Sequence, residues 1–337
     1  MLINLFERYW LPEFLVRIAA RILCILRVRQ IRSDFNLEKI IKIWDELSKK
    51  PLDLYEDYAN KQHYEIDPAF FEKVLGKRLK YSCCFFENDH VYLNNAEEAM
   101  LQNYAKLLQN EKVIKILDLG CGWGSLTGFL SEKFPEASIT AVTNSHSQAR
   151  YVQNLLSDKN TVNVRKQSFA DLNFEEEFCA VFAVEMLEHI QNWKLAFKKI
   201  ARFIRPNGVF IVHFFATQYC PYVYEPTEWS DWMSREFFTG GIMPSPVFLL
   251  LQDSLKLEKL EYISGKHYAN TANHWLSNLA ARWHELMDYL RASGMTKQEA
   301  NRFLNRWRLF FIGCSEFFGL SDGNIFGVYL AKLRKCA

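Results

Sequence analysis

The stretch Ile116-Leu117-Asp118-Leu119-Gly120-Cys121-Gly122-Trp123-Gly124-Ser125-Leu126-Thr127 constrains the fold of this chain more than any other. The apolar run from Val113 to Leu119 predicts a buried parallel strand, and Ser125 opens a helical pattern through Phe134. Glycines at alternate positions make a sharp turn between them. A strand that turns on Gly-x-Gly-x-Gly into a helix lets the backbone approach a ligand closely, because no Cβ stands in the way. The turn is not specific by itself: dinucleotide sites look similar, and some such turns bind nothing. Asp118 at the strand's last turn tilts the reading toward a nucleoside ligand that lacks a pyrophosphate.

The rest of the chain repeats the alternation. Strands are predicted at Ser138 to Thr143, Val162 to Lys166, Phe178 to Val184 and Gly208 to Phe214, with helices at Gln148 to Leu156 and Trp193 to Phe203. Leu257 to Ile263 and Asn324 to Leu333 read as further strands. Thr271 to Leu290 and Lys297 to Phe318 read as helices. Strands alternating with helices imply an α/β fold with a mostly parallel sheet, and ligands at the carboxyl ends of its strands. Upstream, Pro68 opens a short helix ending near Gly76. A helix from Asn95 to Leu108 carries Asn94 or Asn95 as its cap, with Glu97 and Glu98 in its first turn.

At 337 residues the chain buries a large core. Its 27 Phe, 15 Tyr and 9 Trp make it unusually aromatic; core filling accounts for most of them, and aromatic walls around a flat or cationic substrate for the remainder. The net charge of +2, with no basic stripe, argues against nucleic acid. Eight cysteines without a CxxC pair or regular spacing form neither a disulfide framework nor a zinc site, so no metal is expected and reduced thiols in a cytoplasmic enzyme are the natural state.

Residues 1–32 are rich in Leu, Ile and Phe but are interrupted by arginines, and six arginines stand against Glu7 and Glu13. No uncharged run approaches the roughly 18–20 residues of a spanning helix, and no secretory cleavage pattern follows. Ile18, Ala19, Ile22, Leu23 and Leu26 share one helical face, with Arg17 and Arg21 on the other. The preferred expectation is that the apolar face packs on its own domain. Peripheral contact with an anionic membrane is the alternative, and a homodimer is compatible with the sequence.

Glu185-Met186-Leu187-Glu188-His189 follows the fourth strand directly. A helical turn starting here sets Glu185 against Glu188 and His189 at i+3 and i+4. Two carboxylates and an imidazole then converge at the sheet's carboxyl end, where they can hold a cation and accept a proton. A solvated helix N-terminus is the plainer reading. His213, on an apolar strand, is as easily a satisfied core residue as a catalyst.

Taken together, these residues resemble the family that joins cyclopropane fatty acid synthases with coclaurine N-methyltransferase and related amine N-methyltransferases. The likeness runs from about Gln62 to the C-terminus. It rests on His63-Tyr64, Leu79-Lys80-Tyr81-Ser82-Cys83-Cys84, the glycine hairpin, the Glu185–His189 motif, Phe237-Phe238-Thr239-Gly240-Gly241, Gly265-Lys266-His267-Tyr268-Ala269-Asn270-Thr271 and Trp307-Arg308-Leu309-Phe310-Phe311. Several of these motifs look more like the N-methyltransferase branch.

The resemblance implies a Rossmann-like class I methyltransferase fold with a seven-stranded sheet. It also implies an N-terminal helical segment (1–110) completing the site, and a cofactor domain (111–337) with cap insertions at 216–251 and 265–322. S-adenosylmethionine is the implied cofactor, with Tyr81 and Ser82 over it and Asp118, Gly120, Gly122 and Gly124 around its methionine part. Thr143, Asn144 and Gln148 replace the acidic residue that many such folds use for the ribose, and Asp171 meets the adenine. Glu185, Glu188 and His189 take the amine-binding and proton-removing positions, so a small amine is the implied acceptor. The lipid branch instead holds a bicarbonate, whose surroundings map onto Cys83, Glu188, His213 and Tyr268, with an unsaturated lipid chain as acceptor. Phe215, usually Ile in the lipid synthases, weakens that match.

Overall fold

The computed structural model describes residue 7 and residues 11–33, 35–52, 66–88, 90–225 and 232–336; the His63-Tyr64 motif lies outside them. Seven strands form the main sheet: β1 (Lys115–Leu119), β2 (Ser138–Thr143), β3 (Val162–Lys166), β4 (Phe178–Val184), β5 (Ile204–Thr217), β8 (Lys256–Ser264) and β9 (Phe326–Arg334). β6 (Tyr222–Val223) and β7 (Ile242–Met243) make a separate two-stranded ribbon. The main order is β3-β2-β1-β4-β5-β9-β8; the pairs as far as β5 are parallel, and β9 runs antiparallel to both neighbours. This is the mostly parallel seven-stranded sheet expected.

The chain leaves β1 toward β2 on one side and returns to β4 on the other. The carboxyl ends of β1 and β4 therefore flank the point where strand order reverses, which is where open α/β sheets bind ligands. Strand alternation divides the core. On β5, Phe210, Val212, Phe214 and Ala216 join one apolar cluster, while Val209, Ile211 and Phe215 face the other.

The helices described before the sheet are α1 (Glu13–Ser33), α2 (Leu37–Leu47), α3 (Pro68–Val74) and α4 (Leu93–Leu107). Between strands stand α5 (Ser125–Lys133), α6 (His146–Leu155), α7 (Trp193–Phe203) and the short α8 (Trp232–Glu236) and α9 (Phe248–Leu251). Over the carboxyl edge lie α10 (Gly265–Ala281), α11 (Trp283–Ala292) and α12 (Lys297–Phe318). Among the described residues no helix is long and apolar enough to cross a membrane.

Four expectations are corrected. The helix read from Thr271 to Leu290 is two helices broken at Arg282, whose guanidinium is drawn to the Lys73 carbonyl at 3.0 Å. α4 is capped at Tyr92, not at Asn94 or Asn95, because the Asn94 side chain is spent on the Lys77 N–H at 2.9 Å. β5 begins at Ile204, ahead of the expected Gly208. A register shift opposite β4 absorbs the Pro206-Asn207 kink, with Asn207 at φ +62°.

The fourth correction concerns α1, which faces the opposite way from the packing expected. Val16, Cys24, Val28 and Ile31 are buried, whereas Ile18, Ile22 and Leu26 are more than half exposed. Arg17 turns toward Glu316, a buried carboxylate on α12 that needs cationic partners, and Arg21, itself largely exposed, reaches the same carboxylate from the rim, at 2.9 and 2.8 Å.

Candidate active site

The glycine hairpin forms one wall of a cavity of about 150 Å³ at the β1/β4 switch point. Gly120 and Gly122 both adopt positive φ, +74° and +54°. A Cβ on Gly120 would fall 2.7 Å from Met186 Cγ, so the hairpin closes tightly on the motif after β4. Gly122 instead opens onto free space, a cradle that any side chain would begin to fill. Below it, Asp118 lines the cavity and accepts from Thr127 Oγ1 at 2.6 Å; burial pushes its pKa up to about 6.

At the end of β2, Thr143 Oγ1 donates to Gln148 Oε1 at 2.8 Å, which fixes the amide. Gln148 Nε2 is then left buried on the cavity wall with no hydrogen-bond partner among the described residues. A buried donor without a partner suits a ligand hydroxyl. Asn144, Phe169 and Ala170 also line the cavity, whereas Asp171 is exposed and stands outside the wall.

Across the cavity, Tyr81 and Ser82 come from an irregular segment with no helical or strand hydrogen bonding of its own. Glu97 organises it. This buried carboxylate on α4 accepts from the backbone N–H groups of Gly76 (3.1 Å), Arg78 (2.8 Å) and Lys80 (3.2 Å), across a turn with Leu79 at φ +52°. The buried Lys80 Nζ then donates to Ser82 Oγ and to Cys83 O, the latter at 2.7 Å. Glu97 is thus more than a favourable first-turn charge, and neither its hold on the loop nor that of Lys80 is marked by any local pattern in the sequence. Replacing Glu97 with leucine strands three backbone donors, at about 1–3 kcal/mol each where water cannot reach them. The expected result is a clear fall in the urea unfolding midpoint; an unchanged midpoint would show that Glu97 does not hold this loop.

The motif after β4 does not begin with a helical turn. Glu185 sits at φ +48°, and a short 3₁₀ turn starts only at Leu187. Sheet register, not helix periodicity, positions Glu185: Val184 pairs with His213, and the Glu185 N–H donates to the His213 carbonyl at 2.7 Å. This left-handed turn aims the carboxylate back at the Lys80–Cys83 segment. Glu185 Oε1 accepts from the Cys83 N–H at 2.8 Å, and Oε2 accepts from the Tyr268 hydroxyl at 2.6 Å. His213 Nε2 lies 3.7 Å from Oε1, and its Nδ1 meets the Tyr104 hydroxyl. Burial raises the Glu185 pKa, opposed by the Lys80 ammonium and the two hydrogen bonds. Burial also holds the His213 imidazole well below its ordinary pKa, and Lys80 adds to the effect.

The Glu185, Glu188 and His189 side chains do not converge on one face as expected. Glu185 and His189 line the cavity with Met186, while Glu188 lies behind its wall. Glu188 Oε1 accepts from the Phe215 N–H at 2.8 Å, and Oε2 is buried without a hydrogen-bond partner. Burial, reinforced by Glu185, pushes the pKa of this carboxyl well above the usual range. Its role is to tie the motif to β5. Cys83, His213 and Tyr268 likewise sit outside the wall, gathered around Glu185.

His189 lies nearly parallel to Phe238, ring centroids 6.2 Å apart, and Phe238 in turn meets Phe215, Tyr224 and Phe310. Burial lowers the His189 pKa to about 4, so the imidazole is a neutral proton acceptor at neutral pH. The arrangement therefore offers a glycine-lined cradle, a carboxyl hydrogen-bond acceptor and a neutral base side by side.

The chain as a whole is similar to known proteins. The mycolic acid cyclopropane synthetase family matches residues 54–327. (S)-coclaurine N-methyltransferase of Thalictrum flavum subsp. glaucum is 31% identical over 295 residues, 86% of this chain and 81% of that protein. The Papaver somniferum enzyme of the same name is 32% identical over 77% of this chain and 76% of its own. The crystal structure of coclaurine N-methyltransferase bound to N-methylheliamine and SAH superposes with a TM-score of 0.94 at 28% identity, covering 99% of each chain. The chain thus belongs to the mycolic acid cyclopropane synthetase family, among the members similar to coclaurine N-methyltransferase.

Proposed function

We propose that this protein is an S-adenosylmethionine-dependent N-methyltransferase acting on a small amine that carries an aromatic body. One observation carries the reading: Glu185 and His189 share a cavity wall with the glycine hairpin and the orphaned Gln148 amide. S-adenosylmethionine, when bound, supplies an electrophilic methyl group on a sulfonium. Asp118, Gly120, Gly122, Thr143, Asn144 and Gln148 are the residues that hold it, and the second-strand polar trio takes the ribose.

The protein's own task is to deliver a neutral amine in line. An ammonium has no lone pair, so it loses a proton before it attacks. Glu185 attracts the cation, while Tyr268 and Cys83 fix the carboxylate's orientation. His189 takes the proton. The burial that holds His189 unprotonated before the transfer also disfavours an ammonium beside it, so the amine gives up its proton more readily than in water and the imidazole then passes that proton on to solvent. The Phe238–Phe215–Phe310 cluster excludes water and presents ring faces to the acceptor's body.

The lipid alternative is less well supported. Two of the donors expected around a bicarbonate, the Cys83 N–H and the Tyr268 hydroxyl, already serve Glu185. A second anion there would meet a like charge. A screen with methyl-labelled S-adenosylmethionine tests the reading, using coclaurine, other primary and secondary amines, and phenols. Label is expected in amines; transfer to phenols alone, or to no acceptor while the cofactor binds, would count against it.

A further inference from the structure

Lys80 is 2% exposed and lines the same cavity as Glu185 and His189. A cation on the wall of a cavity that receives cations would, by itself, repel them. Its N–H groups, however, are spent inside the wall. The ammonium donates to Ser82 Oγ and to Cys83 O, the latter at 2.7 Å, and lies 5.5 Å from the centroid of the Tyr104 ring. Cys83 and Tyr104 both lead on to Glu185. The Cys83 N–H donates to Glu185 Oε1 at 2.8 Å, and Tyr104 meets His213, whose Nε2 lies 3.7 Å from the same oxygen.

We propose, resting on the amine reading above, that Lys80 is a positioning residue: its buried ammonium keeps the Glu185 carboxylate charged and so sets the cavity's preference for cationic acceptors. Burial favours the neutral carboxyl, and a nearby charge has to oppose it. Burial raises the pKa of the Cys83, Cys84 and Cys314 thiols and of the Tyr104 and Tyr268 phenols, so these stay protonated and uncharged. It holds the His213 and His189 imidazoles unprotonated, and Glu188 can add only a like charge. Among the described residues facing Glu185, that leaves Lys80 as the cation. Glu97 accepts from the Lys80 main-chain N–H at 3.2 Å and shares the ammonium's field. Inside a wall closed to water that field is little screened.

The sign of the effect separates this role from two others. Removing a charge that acts through Glu185 raises the Glu185 pKa. At a given pH less of the carboxylate is then ionised, a cationic ligand binds more weakly, and binding recovers as pH rises. Removing a charge that acted on the ligand directly would strengthen binding instead. A side chain that only held the loop in place would, when removed, weaken binding by a factor that does not change with pH.

Calorimetric binding of benzyltrimethylammonium, whose charge does not titrate, to the full chain saturated with S-adenosylhomocysteine tests this over a pH series. Lys80→Met is expected to bind roughly tenfold more weakly at neutral pH, with the acid loss of affinity moved up by on the order of one pH unit. Lys80→Arg, which keeps the charge, should retain the wild-type midpoint. In a Glu185→Gln background Lys80→Met should cost nothing further. Should Lys80→Met not fold, Lys80→Gln, a neutral donor, takes its place. A pH-independent loss, tighter binding, or an effect of full size in the Glu185→Gln background would overturn the proposal and leave the amine reading standing. A wild type that binds no ammonium at any pH would overturn both.

Discussion

Replacing His189 with alanine is expected to slow methyl transfer by about 10²–10⁴-fold, the usual contribution of a positioned general base, while cofactor affinity stays within a factor of about two. The side chain lines the cavity, and the Thr143–Gln148 hydrogen bond elsewhere on its wall is made without it. Its pH behaviour is distinctive. Burial depresses the imidazole pKa to about 4, so the group is unprotonated above that pH and takes up a proton only as pH falls through it. Under saturating acceptor the acid limb of kcat should therefore lie near pH 4, well below the ordinary histidine value. Stopped assays across pH, with cofactor binding measured by calorimetry, check both points. Turnover unchanged in the variant would end the assignment of His189 as the base.

Glu185→Ala should be comparably damaging for a different reason. The carboxylate receives the Cys83 N–H and the Tyr268 hydroxyl, and its loss leaves both donors buried beside an acceptor that then has no counter-charge. Truncating one member of such a buried, charged constellation costs about 2–5 kcal/mol, or roughly 30- to 5,000-fold in kcat/KM. Glu185→Gln separates the two contributions. An amide oxygen still accepts from the Cys83 N–H, so the loop stays placed, but the negative charge is gone. The glutamine variant should melt at nearly the wild-type temperature and show a raised KM for a cationic acceptor. A glutamine variant with wild-type KM would mean that Glu185 serves the fold and not the substrate.

What was legible beforehand follows from the range of the interactions. The β1 strand and its glycine hairpin are written within a dozen residues. The strand–helix alternation is a local periodicity, so the mostly parallel sheet and its ligand-bearing carboxyl ends are legible in the sequence, whereas the strand order that makes the switch point is set by long-range pairing. The loop that carries Tyr81 and Ser82 could not. Glu97 holds it from 17 to 21 residues away through main-chain N–H groups, which leave no mark on the sequence. Glu185 escaped for a related reason: a non-glycine residue in the left-handed region is set by the surrounding sheet and loop, not by its own preference. Consequently the spacing of Glu185, Glu188 and His189 suggested one helical face, whereas Glu188 was turned behind the wall to tie down β5. The two faces of α1 were visible as a pattern, but the one turned inward was decided by Glu316, some 300 residues along the chain.

Amine methylation and lipid cyclopropanation differ in whether the activated methyl reaches nitrogen or an alkene carbon. A single reaction answers this: methyl-labelled S-adenosylmethionine with coclaurine and vesicles of an unsaturated phospholipid together, analysed by mass spectrometry of both fractions. The predicted result is labelled N-methyl amine with unlabelled acyl chains. Labelled cyclopropane in the lipid, with the amine untouched, would contradict it.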